Sequence, residues 1–193
     1  MIKNLFLLIC LFVPTLVNCQ IEKPIKKGNI ILGGTGSFYY SKSTYSDFGE
    51  NDFKQYNINL NPTFNYFLID NLALGVTINL GYSHQETVNT KGIGLGPNVK
   101  YYFKNGILLR SDASYFLSTS YGTRSHSFAF EAGLGYAFFI NSKVSIEPAL
   151  LFKTNSVKST MLERELGGLI IPAVTIDQKT IMFLFEIGFH VFI

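Results

Sequence analysis

The sequence predicts an all-β fold: an eight-stranded antiparallel up-and-down transmembrane β-barrel. Three observations predict it. Eight segments alternate apolar and non-apolar residues with period two, none of the eight apolar faces carries a charge, and tight connections alternate with long ones. The composition agrees. Of 193 residues 47% are apolar and 15% charged, where soluble domains carry roughly 25% charge. That apolar content excludes a disordered chain. A net charge of +3 is too small to indicate a nucleic-acid partner.

Residues 1–19 read as a signal peptide. Lys3 supplies the positive start, 5–17 the apolar stretch, and Val17 and Cys19 a small-residue cleavage site. The run is shorter than the ~20 residues a spanning helix needs. Both cysteines, Cys10 and Cys19, fall in this leader, so the exported chain has no disulfide, thiol nucleophile or cysteine metal site. Lipidation of Cys19 is a second reading, with Asn18 at a position where such motifs want Gly, Ala or Ser. Residues 20–27 form a short periplasmic segment, and 28–193 the barrel domain.

The strands follow in order. Segment 29–40 sets Ile30, Leu32, Phe38 and Tyr40 against Asn29, Thr35 and Ser37. Segment 55–66 separates completely: Tyr56, Ile58, Leu60, Pro62, Phe64 and Tyr66 oppose Gln55, four Asn and Thr63. Segment 72–82 sets Leu72, Leu74, Val76, Ile78, Leu80 and Tyr82 against Ala, Gly, Thr and Asn. Segment 92–103 sets Ile93, Leu95, Val99, Tyr101 and Phe103 against three Gly, Asn98, Lys100 and Tyr102. Segment 107–117 is weaker, with Ser111 and Ala113 on its apolar face. Segments 127–140 and 144–154 show Phe128, Phe130, Leu134, Tyr136 and Phe138, then Val144, Ile146, Leu150 and Phe152. Segment 180–193 ends the chain with Ile181, Phe183, Phe185, Ile187, Phe189, Val191 and Ile193 on one face.

A soluble sandwich would present Lys and Glu to water on its polar face. Here that face is Gly, Ser, Thr, Asn and Ala with charges of both signs, which suits the crowded inside of a narrow barrel. Connections 67–71, 104–106 and 141–143 are tight, whereas 41–54, 83–91, 118–126 and 155–179 are long. Short turns at one end and long loops at the other is the plan of an outer-membrane barrel. Aromatics gather at two levels of the apolar face. Phe38, Tyr40, Tyr56, Tyr82, Tyr115, Phe128 and Phe152 lie toward the long loops; Phe64, Tyr66, Tyr101, Phe103, Tyr136, Phe138 and Phe189 lie toward the short turns.

With these residues in view, the chain resembles the small outer-membrane β-barrel proteins of Gram-negative bacteria, of the OmpX and OmpA-barrel kind. The resemblance covers about 28–193 and rests on the Phe/Tyr-rich alternating strands, on Gly94-Leu95-Gly96-Pro97-Asn98-Val99-Lys100-Tyr101-Tyr102-Phe103, and on the closing strand. Members usually end in Phe; here Phe192 is penultimate. The resemblance is to an architecture and implies no catalytic residue.

The polar faces place Lys100, Arg110, Asp112, Glu131, Glu147, Lys153 and Glu186 inside the barrel. Four acids and three bases in a narrow lumen are expected to pair as a structural ion network, since unpaired buried charge is costly. No catalytic residue, cofactor or metal is assigned. His126 has serines only as neighbours that face the other way, His84 sits in a loop, and His190 points inward with Glu186 on the same face. Asp47, Glu50 and Asp52 lack calcium-loop spacing. Gly33-Gly34-Thr35-Gly36 lacks the Lys-Ser/Thr of a phosphate loop.

Two features strain the scheme. Pro62, Pro97 and Pro148 lie inside strands, so bulges or locally broken pairing are expected. Segment 166–176 is apolar for a loop, and is expected to be a β extension above the membrane or a cap over the mouth.

The function expected is that of an outer-membrane barrel with a largely closed lumen, serving structure, adhesion or envelope integrity through its surface loops. The alternatives are a narrow transport barrel for a small or apolar solute, a lipid-modifying enzyme, and a soluble calyx with the apolar set turned inward. Expected partners are outer-membrane lipid, the barrel-insertion machinery acting on the C-terminal strand, and a surface ligand at the long loops. A monomer is expected.

Overall fold

The computed structural model describes residues 23–45, 51–85, 88–120, 123–161, 164–166, 169–171 and 174–193; the leader and residues 46–50 lie outside them. Eight long strands form the wall: β1 (Ile30–Tyr45), β2 (Asn51–Ile69), β3 (Leu72–Gln85), β4 (Val88–Tyr102), β5 (Ile107–Ser120), β6 (Thr123–Tyr136), β8 (Val144–Met161) and β11 (Val174–Phe192). A short β7 (Phe138–Asn141) continues the edge of β6 along β8, and β9 (Arg164–Leu166) with β10 (Leu169–Ile171) makes a separate two-stranded antiparallel sheet. Each strand pairs antiparallel with the next, and β11 returns to β1. The barrel is closed and up-and-down, with eight staves.

The apolar set faces outward. Phe183 is 82% exposed and Leu150 68%, and Leu60, Leu95, Phe128 and Leu134 stand out from the same surface. Soluble monomers rarely expose a contiguous apolar patch beyond a few hundred Å²; this one encircles the molecule. Cross-strand neighbours match on that face, as in Phe64 opposite Val76, Leu80 opposite Ile93 and Tyr115 opposite Phe128. Many buried positions are polar instead, among them Asn65, Thr77, Asn98, Lys100, Asp112, Glu131, Ser145, Glu147 and His190, while the buried apolar cluster gathers near the short turns. The soluble-calyx alternative requires the opposite orientation.

The tight turns need special residues. Asn71 (φ 71°) and Gly106 (φ 96°) both adopt the left-handed conformation that Gly takes freely and Asn tolerates. At the other end the expected loops are mostly strand. β3 reaches Gln85 and β4 restarts at Val88, while β8 and β11 stay paired from Val191 opposite Val144 up to Val174 opposite Met161. The reason is local. Stretches such as Ser118–Thr119–Ser120 and Thr123–Arg124–Ser125 are polar on both faces, so hydrophobic alternation vanishes while Ser and Thr still pair across strands. Of the 166–176 segment, the described residues are β structure, divided between the β9–β10 pair and the start of β11, as a β extension requires; 167–168 and 172–173 lie outside the described residues.

The prolines break pairing without shifting register. Pro62 still faces Gly34 on β1, but the β2–β3 ladder skips Asn61 and Pro62 and resumes in phase. Pro97 does the same to β4–β5, and Pro148 separates β6 from β7. Each proline keeps one neighbour and removes the donor aimed at the other. Beside Pro97 the backbones crowd: a Cβ on Gly96 would sit 1.8 Å from the Ala113 carbonyl oxygen. The register shifts lie elsewhere, at Phe67/Ile69 and Phe139/Asn141, beside two of the tight turns.

Candidate functional site: the lumen and its wall

The lumen is built in three storeys. At the short-turn end lies an apolar floor. Ile31, Phe67, Leu108, Tyr102 and Phe192 point inward from five strands and are fully or almost fully buried, with Ala73 and Ala137 between them. The Phe192 ring lies 6.4 Å from Phe67, 6.1 Å from Tyr102 and 5.4 Å from Phe139. The chain before β1 tucks beneath. Ile25 joins the cluster, its carbonyl accepts the Asn71 N–H, and Lys23 donates to the Lys104 carbonyl and sits over the Phe139 ring.

Above the floor is an ionic storey in two clusters. In the lower one Glu147 is the hub. Lys100 Nζ donates to its Oε2 at 3.0 Å, and His190 Nδ1 lies 3.1 Å from the same oxygen. Tyr102 and Ser145 both donate hydroxyl hydrogens to Oε1 at 2.9 Å. Lys100 Nζ is also 2.8 Å from His190 Nε2. In the upper cluster Arg110 meets Glu186 at 3.1 Å and Glu131 at 3.9 Å, and Lys153 also binds Glu131. A neutral relay stands beside them. Asn65 donates to Asn98, Asn98 to Thr77 at 2.9 Å, and Thr77 to Asp112. The cavity among Lys100, Arg110, Asp112, Glu131 and His190 measures about 20 Å³, the room of a single water.

The third storey is a chamber of about 470 Å³ toward the long strands. Asn59, Asn79, Ser114 and Asn155 line it with Phe116, Met182 and Leu184.

Six of the seven charged residues assigned to the lumen meet an opposite charge here, and all seven face inward. Asp112 departs from the expectation of pairing: its bond is to Thr77, and among the described residues no cation stands within 4 Å of it. The expected neighbour of His190, Glu186, is engaged with Arg110; the ring turns to Glu147 on β8 instead. Sequence reasoning missed the apolar floor. Its members all carry inward parity, and several apolar residues on a polar face at one barrel end was the available signal. Tyr102, Ser145 and Thr77 were likewise readable only as fillers. Among the described residues no group of three His, Cys, Asp or Glu side chains could hold a metal ion.

No protein-family model matches the chain, and no curated protein sequence matches it. Solved structures do. The chain is similar to the outer membrane protein OprG from Pseudomonas aeruginosa, with a TM-score of 0.52 at 15% identity, covering 87% of this chain and 97% of that one. This chain folds as an outer-membrane β-barrel. Weaker likenesses are to OmpT of Vibrio cholerae (TM-score 0.38, 15% identity, 85% of this chain and 51% of that one) and to the beta domain of the Bordetella autotransporter BrkA (0.40, 11%, 86% and 97%). At these identities the likeness concerns the fold.

Proposed function

We propose that this chain is an exported outer-membrane barrel that does not conduct, anchoring in the bilayer and acting through the strand extensions at its long-loop end, in adhesion or envelope integrity. The short turns face the periplasm, and the insertion machinery engages the C-terminal strand. The observation that supports a closed lumen is the pairing of Lys100, Glu147, Arg110, Glu131 and Glu186 directly above the Phe67–Tyr102–Phe192 floor. A channel needs a continuous polar path, and this floor offers apolar rings where the path would leave. Outer-membrane fractionation with a heat-modifiable gel shift tests the placement. Single-channel recording in planar bilayers tests the lumen: no steady conductance is expected, and a steady one would overturn the closed-lumen reading.

A further inference from the structure

The wall is not sealed along its full height. β1 pairs with β2 through 30–45 and β11 with β8 through 174–191, yet β1 and β11 pair with each other only over 31–35 and 188–192. Beyond Thr35 and Gly188 no ladder joins the two strands among the described residues, so each runs on with one hydrogen-bonding edge open. A cavity of about 250 Å³ occupies the gap. Its lining combines the inward-facing Thr35, Ser37, Asn61 and Glu186 with the outward-facing Phe185 and Ile187, at the level where the β1–β11 ladder has ended. Ser37, Asn61, Phe185 and Glu186 also line the larger chamber, so the two spaces share one stretch of wall.

The chemistry on either side differs sharply. Outside, Phe183, Phe185 and Ile187 are among the most exposed side chains of the barrel. Inside are amides and hydroxyls, and two of these are unspent: Asn79 Nδ2 and Asn155 Oδ1 are buried without a hydrogen-bond partner. The charges at the chamber base are already committed, Lys153 to Glu131 and Arg110 to Glu186. Between inside and outside run the open strand edges, which are costly to leave against hydrocarbon alone. A purely apolar guest would satisfy none of these groups, and a polar solute has no reason to arrive from the lipid side.

We infer that the β1–β11 gap is a side opening for a bilayer amphiphile without net charge, whose hydrogen-bonding head occupies the chamber while its chain stays outside against Phe185 and Ile187. This rests on the proposed membrane placement. The guest serves both surfaces: its head meets Asn79, Asn155 and the free strand edges, and its chain remains among its own kind.

The protein contains no Trp, so Phe116→Trp on the chamber wall gives a single reporter, and Leu184→Trp a second. The full barrel is folded into phosphatidylcholine vesicles with and without a fraction of lipid carrying a nitroxide on its head group. The expected result is loss of most of the reporter emission in nitroxide vesicles, restored when Ser37→Phe or Asn61→Phe fills the gap. Undiminished emission from a reporter variant that shows the heat-modifiable shift would overturn the side opening alone. So would equal loss in the filled variants. Absence of that shift from the unmodified protein would overturn the membrane placement, and the opening with it.

Discussion

Glu147→Gln removes one charge from the most deeply buried ion cluster of the barrel. Glu147 is 2% exposed and Lys100 4%, so water screens neither. The amide still accepts from Tyr102 and Ser145 at Oε1, but Lys100 loses the partner at 3.0 Å. Leaving one member of a buried pair uncompensated costs about 3–5 kcal/mol, a fall on the order of 10²- to 10⁴-fold in the ratio of folded to unfolded protein. Removing Lys100 as well relieves that isolated charge. The double variant Lys100→Met/Glu147→Gln should therefore recover most of the loss, because a buried pair exchanged for neutral groups of similar volume is often close to neutral. The assay is urea unfolding of the protein in phosphatidylcholine vesicles, read as the folded and unfolded bands on a gel. A single-variant cost below about 1 kcal/mol, the range of exposed ion pairs, would refute the reasoning. A double variant no better than the single would refute it equally.

Two further outcomes are expected from the same assay. Phe192→Ala empties the centre of the floor, where the ring packs on Phe67, Tyr102 and Phe139, and should cost about 3–5 kcal/mol. A cost no larger than that of Phe189→Ala, whose ring points out of the barrel, would show that the floor is not a packed core. Pro97→Val returns an amide donor to the interrupted β4–β5 ladder and should stabilise by about 0.5–1.5 kcal/mol, accompanied by a newly protected amide in hydrogen exchange.

β2 shows what was legible. Its apolar and polar residues separate without exception from Gln55 to Tyr66, and all its apolar side chains there face outward. Period-two alternation reports which side of a sheet a residue occupies, so the wall and the inward place of all seven lumen charges were readable in advance. Alternation is silent where both sides are polar, so the upper strands around Ser118–Ser125 and Ser83–Thr90 passed for loops. It is silent also about partners across the lumen. Lys100 lies on β4 and Glu147 on β8, and their meeting depends on how the staves are staggered around the ring. The floor escaped for the same reason: Ile31, Phe67, Leu108 and Phe192 each look like one apolar exception on a different strand until closure brings them together. The gap between β1 and β11 has no pattern of its own, because both strands alternate normally on each side of it.

The ring is fastened in one place. Ile31 and Phe192 stand 161 positions apart in sequence, whereas every other neighbour in the wall comes from an adjacent hairpin or the link around the β9–β10 insertion. Bringing chain ends together carries the largest loop entropy of any contact in the molecule. What repays it is concentrated at the base: reciprocal backbone bonds between Ile30 and Ile193 at 2.8 and 2.9 Å, and the phenyl ring of Phe192. The cylinder is thus clasped like a bracelet, by its terminal links. Ile25 closes the same base from below, in one cluster with Ile31 of the first strand and Phe192 of the last.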